Sequence, residues 1–127
     1  MGWRVRSVRG ATTVDSNSSG AIADAVHELM ATIARHNPLD PDEIVSVIFT
    51  MTPDLDAAYP AATARQQPGW DRVPLLDMQG ISVPGSPERC IRVLIQFNTE
   101  LSQQQVHHVY LRHAQSLRPD LAFSAHL

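Results

Sequence analysis

Lysine is absent from this 127-residue chain, and its ten basic residues are all arginine. Cysteine occurs once, at Cys90, so an intramolecular disulfide framework is excluded. No apolar run approaches the ~20 residues of a membrane span, and Met1-Gly2-Trp3-Arg4-Val5-Arg6 holds no apolar signal core. A cytoplasmic protein without a membrane partner is therefore expected. A net charge of −3 argues against a nucleic-acid partner, which calls for a basic surface. Also missing are a Gly-x-Ser-x-Gly elbow, a Walker-type phosphate loop and a dinucleotide fingerprint, so neither a serine nucleophile nor a bound nucleotide cofactor is signalled.

What remains is enough for a folded domain. Apolar residues make up 43% and charged residues 18%, unlike a disordered tail. The length suits a single domain over residues 1–127, and no repeat or linker interrupts it.

Alternation from Trp3 to Val8 predicts a strand. Ile22, Val26, Leu29, Met30 and Ile33 recur at helical spacing, which predicts a helix over 21–36 ended by Asn37-Pro38. Asp40-Pro41-Asp42-Glu43 has the chemistry of a capped turn, and the β-branched run Ile44 to Met51 reads as a buried strand. A helix-permissive stretch, 57–67, contains Pro60. A short strand follows over 73–78, then a loop over 80–87. The strongest strand spans 89–98, with Ile91, Val93, Ile95 and Phe97 opposing Cys90, Arg92, Leu94 and Gln96. Ser102 is placed to cap a last helix, 103–116, with Val106, Val109, Tyr110 and Ala114 inward. The order β-α-β-α-β-β-α implies an α+β fold, a mixed β-sheet with helices packed on one face. Its uncovered face and edges suit an oligomer.

Among chemical groups, His107, His108 and His113 are expected on the last helix. Adjacent helical positions diverge by about 100°, so these histidines cannot share a metal, and no metal site is expected. Cys90 shares a strand face with Arg92, which would favour a thiolate, but a lone strand cysteine is more often packing. Arginine carries more information. Its planar fork suits carboxylates and phosphates, although a GC-rich genome would remove lysine equally well. Arg92 interrupts the most apolar strand, so it either meets an acid or faces an anion-sized cavity. Arg9, Arg65 and Arg118 lie at element ends, and ordinary salt bridges remain open for all of them.

Four segments narrow the choice: Val8-Arg9-Gly10-Ala11-Thr12-Thr13-Val14, Thr52-Pro53-Asp54-Leu55, Cys90-Ile91-Arg92-Val93, and His108-Val109-Tyr110-Leu111 followed by Leu117-Arg118-Pro119-Asp120-Leu121. Together, with Gly69-Trp70 and Val73-Pro74 between them, they resemble the AroH-type chorismate mutases from end to end. The resemblance implies a homotrimeric pseudo-α/β-barrel, with active sites at the subunit interfaces. It implies an isomerase of aromatic amino-acid biosynthesis that turns chorismate into prephenate, with no cofactor and no covalent intermediate.

The same resemblance assigns residues. Arg9 looks like the holder of a substrate carboxylate, Arg92 the cation beside the breaking ether bond, and Tyr110 a further carboxylate donor. A neighbouring subunit would supply Tyr59 (often phenylalanine in the family), Ala61, Arg65 and Leu117. Leu76, Met78, Gln79 and Gly80 would line the site. Arg118 would come from a mobile C-terminal tail, from about residue 118, that closes it. Two departures stand out. The family's usual cysteine at position 77 is Asp77, and its usual glutamate at position 80 is Gly80. A carboxylate lost at one lining position is regained three residues away, so Asp77 is expected to take over the glutamate's role. A lysine often found beside Ala61 is Ala62 here. Gly80 also keeps open a weakened trimer that merely senses chorismate or prephenate. By fold analogy alone, trimeric enamine deaminases are a third reading.

Overall fold

The computed structural model describes residues 2–120. It contains β1 (Arg4–Thr13), α1 (Ser19–His36), β2 (Ile44–Met51), α2 (Pro60–Arg65), β3 (Leu75–Gln79), β4 (Cys90–Thr99) and β5 (Val109–Tyr110). Short 3₁₀ turns occupy Pro41–Glu43, Gln103–Gln105 and Arg112–Ser116. The sheet order is β3-β2-β4-β1-β5. β4 runs antiparallel between β1 and β2, whereas β3 and β5 pair parallel to β2 and β1 at the two edges. This is the mixed sheet that the alternation implies.

The two sheet faces have different fates. Val8, Val47, Phe49, Ile91, Val93, Ile95 and Phe97 lie on one face and are buried. Against them packs α1, through Ile22, Val26, Leu29, Met30 and Ile33. Each such aliphatic side chain stabilises by about 1.5–3 kcal/mol when fully buried. The Ser18 hydroxyl starts α1 by accepting from the Ala21 N–H at 3.2 Å. Gly10 lets the helix approach closely: a Cβ there would lie 2.8 Å from Ile33 Cδ1 and 3.1 Å from Leu29 Cδ1. Its neighbours Arg9 and Ala11 necessarily point to the other, uncovered face.

Two expectations need correcting. Pro60 does not interrupt a longer helix; it begins α2, where its missing N–H and fixed φ are tolerated. The larger correction concerns the expected helix over 103–116. A 3₁₀ turn, an extended stretch and a second 3₁₀ turn stand in its place. Val106, Val109, Tyr110 and Ala114 are buried, but in separate elements rather than along a helix stripe. The reason is an otherwise open strand edge: Gly10 and Ala11 of β1 pair with Val109 and Tyr110. The segment is pinned from the far side by Asn37, whose Nδ2 donates to His107 O at 2.8 Å and whose Oδ1 accepts the His107 N–H at 2.9 Å. Of the histidines expected on that helix, His107 and His108 therefore sit in irregular chain and His113 in a 3₁₀ turn. Most of the expected mobile tail lies outside the described residues.

Candidate active site

A cavity of about 930 Å³ opens on the sheet face that the helices leave bare. Its floor is made by side chains that the pleat sends to that face: Arg9 and Ala11 from β1, Ile48 and Thr50 from β2, and Cys90, Arg92 and Leu94 from β4. Tyr110, Leu117 and Arg118 close one side, and Met78, Gln79, Gly80 and the loop residues Ile81 and Val83 close the other. Three arginines thus converge on one concave surface.

Arg92 stands at the centre, directly across from Ala11 on β1 and Thr50 on β2. The turn after β2 anchors the start of its strand. The Thr52 hydroxyl accepts the Cys90 N–H at 2.9 Å and donates to Asp54, and Asp54 Oδ2 accepts the Arg89 N–H at 2.9 Å. Burial pulls the Asp54 carboxyl up, but these hydrogen bonds, with the charge of Arg89, win and hold it below its ordinary value. Arg89 itself adopts φ of 46°, a left-handed conformation costing on the order of 1–2 kcal/mol for a non-glycine residue. Its bond to Asp54 and a second one, from its Nε to Val14 O at 3.0 Å, keep it there.

After β5, Arg112 also has a positive φ, 52°. Its Nη1 donates to Thr13 O at 2.9 Å, and its Nε lies 3.3 Å from Glu28 Oε1. This tie directs the following turn so that Leu117 and Arg118 reach the cavity. Tyr110 is buried among Ala11, Cys90 and Ala114.

The electrostatics are one-sided. Among the described residues no carboxylate lies within ion-pair distance of Arg92 or Arg9. Arg118 does have a partner: Asp120 takes two hydrogen bonds from its guanidinium, at 3.0 and 2.8 Å, and is held below its ordinary value by them. Burial pushes the Cys90 thiol up, and the Arg92 cation beside it offsets only part of this. Cys90 is consequently a neutral thiol rather than a nucleophile. No group of histidine, cysteine and acidic side chains among the described residues could hold a metal. The arrangement can grip an anion with several carboxylates and place a permanent cation against it.

The residues expected from the sequence fall into two groups. Arg9, Arg92, Tyr110, Arg118, Met78, Gln79 and Gly80 meet at the cavity. Tyr59, Ala61, Arg65, Leu76 and Asp77 do not line it. Leu117, expected from a neighbouring subunit, lies on this chain's own wall, because the Arg112–Ser116 turn folds it onto Ala11 and Tyr110. Asp77, expected to take over the glutamate's role, does not reach Arg92 within one chain. It pairs with the buried Phe49 and so faces the helix side, where its Oδ1 accepts the Ala61 N–H at 3.0 Å near the start of α2. Burial pushes its carboxyl up, and that N–H offsets part of the shift. At Gly80 the N–H bonds Met51 O at 2.6 Å, and a Cβ would lie 3.2 Å from that same oxygen.

Sequence reasoning passed over Thr50 and Thr52 as site residues, although β2 alternation places Thr50 opposite Arg92. It also passed over His108, whose Nδ1 accepts the Arg9 N–H at 2.9 Å. Its place followed from the aromatic and β-branched pair Val109-Tyr110, a strand signal hidden by apparent helical spacing.

Comparisons with known proteins bear on the family and the fold. The model of the family described as chorismate mutase type I matches residues 5–121. The chorismate mutase AroH of Thermus thermophilus is 48% identical over 118 residues, covering 92% of this chain and 96% of its own. That of Bacillus subtilis (strain 168) is 38% identical over 120 residues, 94% of each chain. A solved chorismate mutase from Clostridium thermocellum superimposes with a TM-score of 0.83 at 44% identity, covering 87% of this chain and 98% of that one. An arginine-lined cavity on the uncovered face of this sheet, in a chain matched along nearly its whole length, places the protein in the type I chorismate mutase family.

Proposed function

We propose that this protein is an isomerase that converts chorismate to prephenate in the cavity over β1, β2 and β4. The observation that carries the reading is Arg92: an exposed guanidinium at the cavity floor, free of any carboxylate among the described residues. Chorismate is a dianion that rearranges in one intramolecular step. A C–O bond breaks, a C–C bond forms, and no proton moves. Catalysis then has two tasks. Holding the folded conformer by its carboxylates is the work of Arg9, Tyr110 and Arg118. Stabilising negative charge as it grows on the ether oxygen is the work of Arg92, whose planar guanidinium offers several donors to it. A neutral Cys90 suits such a reaction.

The reading includes a homotrimer whose sites are completed at subunit boundaries. Support comes from an apolar surface along the β3 edge and the loop after it: Tyr59 is 71% exposed and Ile81 84%, with Leu76, Met78 and Val83 also exposed. Surfaces of this kind mark contacts between chains. A second copy would bring Tyr59, Ala61, Arg65 and Asp77 to the cavity mouth. In that arrangement a neighbour's Asp77 replaces the carboxylate that Gly80 lacks and meets the substrate hydroxyl. A structure with a bound bicyclic transition-state mimic tests this detail; an Asp77 remote from both the mimic and the neighbouring Arg92 removes it.

The function itself is tested by following the loss of chorismate absorbance with purified protein and identifying prephenate as the product. Saturable chorismate binding without turnover would replace the enzyme by a ligand sensor, and neither binding nor turnover would refute both.

A further inference from the structure

The main chain of Arg9 is held in an unusual way. β1 is an inner strand, with β5 as its parallel neighbour at Gly10 and Ala11. The Leu111 N–H donates to Ala11 O at 2.9 Å, which fixes the phase of the ladder. Two residues earlier, the regular parallel pattern would send the Arg9 N–H to the His107 carbonyl. That carbonyl is already engaged: Asn37 Nδ2 donates to it at 2.8 Å while Asn37 Oδ1 accepts the His107 N–H. The Arg9 N–H turns instead to His108 Nδ1, at 2.9 Å.

We propose that His108 is a positioning residue for the site: its neutral imidazole substitutes for a strand carbonyl and fixes the main chain of Arg9 at the point where that side chain enters the cavity. The inference rests on the chorismate-binding reading of the cavity. An acceptor at Nδ1 requires the ring proton on Nε2. Everything charged around the ring favours the neutral form. Partial burial disfavours the cation first, and Arg9 on β1, Arg118 after the Arg112–Ser116 turn and the adjacent His107 add to it. Among the described residues no carboxylate lies within ion-pair distance of His108. Protonation would place a second donor against the Arg9 N–H and leave that amide unmatched at the root of the carboxylate-binding arginine. His108 also precedes Val109-Tyr110, so one hydrogen bond joins the backbone carrying Arg9 to the segment carrying Tyr110, and both walls keep one spacing.

Two variants and one spectrum test this. Asparagine presents an amide oxygen close to where the imidazole Nδ1 stands, but it does not titrate; alanine has no acceptor. His108→Ala should raise KM for chorismate roughly tenfold while kcat stays within about threefold, the size of effect that one lost acceptor to a partly buried N–H produces. His108→Asn should recover most of that loss. Long-range ¹H–¹⁵N spectra of the unaltered protein near neutral pH, with the His108 signal identified by its disappearance in the asparagine variant, should place the ring proton on Nε2. The proposal is overturned by a wild-type KM in His108→Ala, by an asparagine variant as impaired as the alanine one, or by a ring protonated at Nδ1. Should the alanine variant not fold, the asparagine kinetics and the spectrum still decide. Absence of turnover in the unaltered protein would instead refute the function, and the spectrum would judge His108 on its own.

Discussion

Replacing Arg92 by alanine separates catalysis from folding, because the structure gives this side chain no structural partner of consequence. It is exposed on the cavity floor, and no carboxylate pairs with it among the described residues. The Cys90 thiol beside it is only a weak acceptor. Surface-like substitutions of this kind change folding by less than about 0.5 kcal/mol, which for a domain of this size moves Tm by roughly 2–3 °C. The reaction should respond on another scale. Removing one preorganised donor from the developing oxyanion raises the barrier by about 3–4 kcal/mol, a fall of roughly 10²–10³ in kcat. Because that charge belongs to the transition state, kcat and kcat/KM should drop together. Chorismate consumption at saturating and limiting substrate, with thermal unfolding followed by circular dichroism, measures both quantities. A kcat within tenfold of the parent would refute the catalytic assignment. A Tm lowered by 10 °C or more would show that the guanidinium holds the fold together.

Gly10→Ala should destabilise by about 1–3 kcal/mol through overpacking against Ile33, Leu29 and Val93; an unchanged urea midpoint would show that α1 yields without strain. Asp54→Asn should flatten the acid limb of the stability profile. The Asp54 carboxyl is held below its ordinary value, so its contribution is complete above the unfolded carboxylate range near about pH 4 and is lost as pH falls through the lower folded value. Urea titrations between pH 3 and 6 would contradict this if parent and variant lost stability in parallel. Asp120→Asn frees the Arg118 guanidinium from its local pair and removes a negative charge near the cavity; KM for chorismate should fall severalfold, and a rise would mean that Asp120 positions Arg118 productively.

The sequence carried different parts of this structure with different clarity. Strict alternation in Cys90–Thr99 put Arg92 on the face opposite Ile91 and Val93, and the structure keeps it there. The stripe of α1 was equally plain, since one face buries against the sheet. The stretch after Ser102 misled, because buried Val106, Val109, Tyr110 and Ala114 imitate helical spacing while Gly10 and Ala11, about a hundred residues away in the chain, offer an edge to pair with. Local periodicity cannot register so distant a partner. The face that Asp77 takes was not legible for a similar reason: it is decided by its register with Phe49 on another strand. That Leu117 also lines this chain's own cavity was not legible, because nothing local announces the Arg112–Ser116 turn.

Asp77 and Ala61 lie across β3 from the cavity that holds Arg9 and Arg92. Under the proposed sharing of sites, this separation allows genetic rescue. A chain disabled at Arg92 and another disabled at Arg65 would each be dead alone, yet mixed assemblies would pair an intact half from one with an intact half from the other. Random mixing in a ring of three would revive about a quarter of the sites. Activity appearing only after two silent preparations are unfolded together and reassembled would belong to the boundary between copies rather than to either chain.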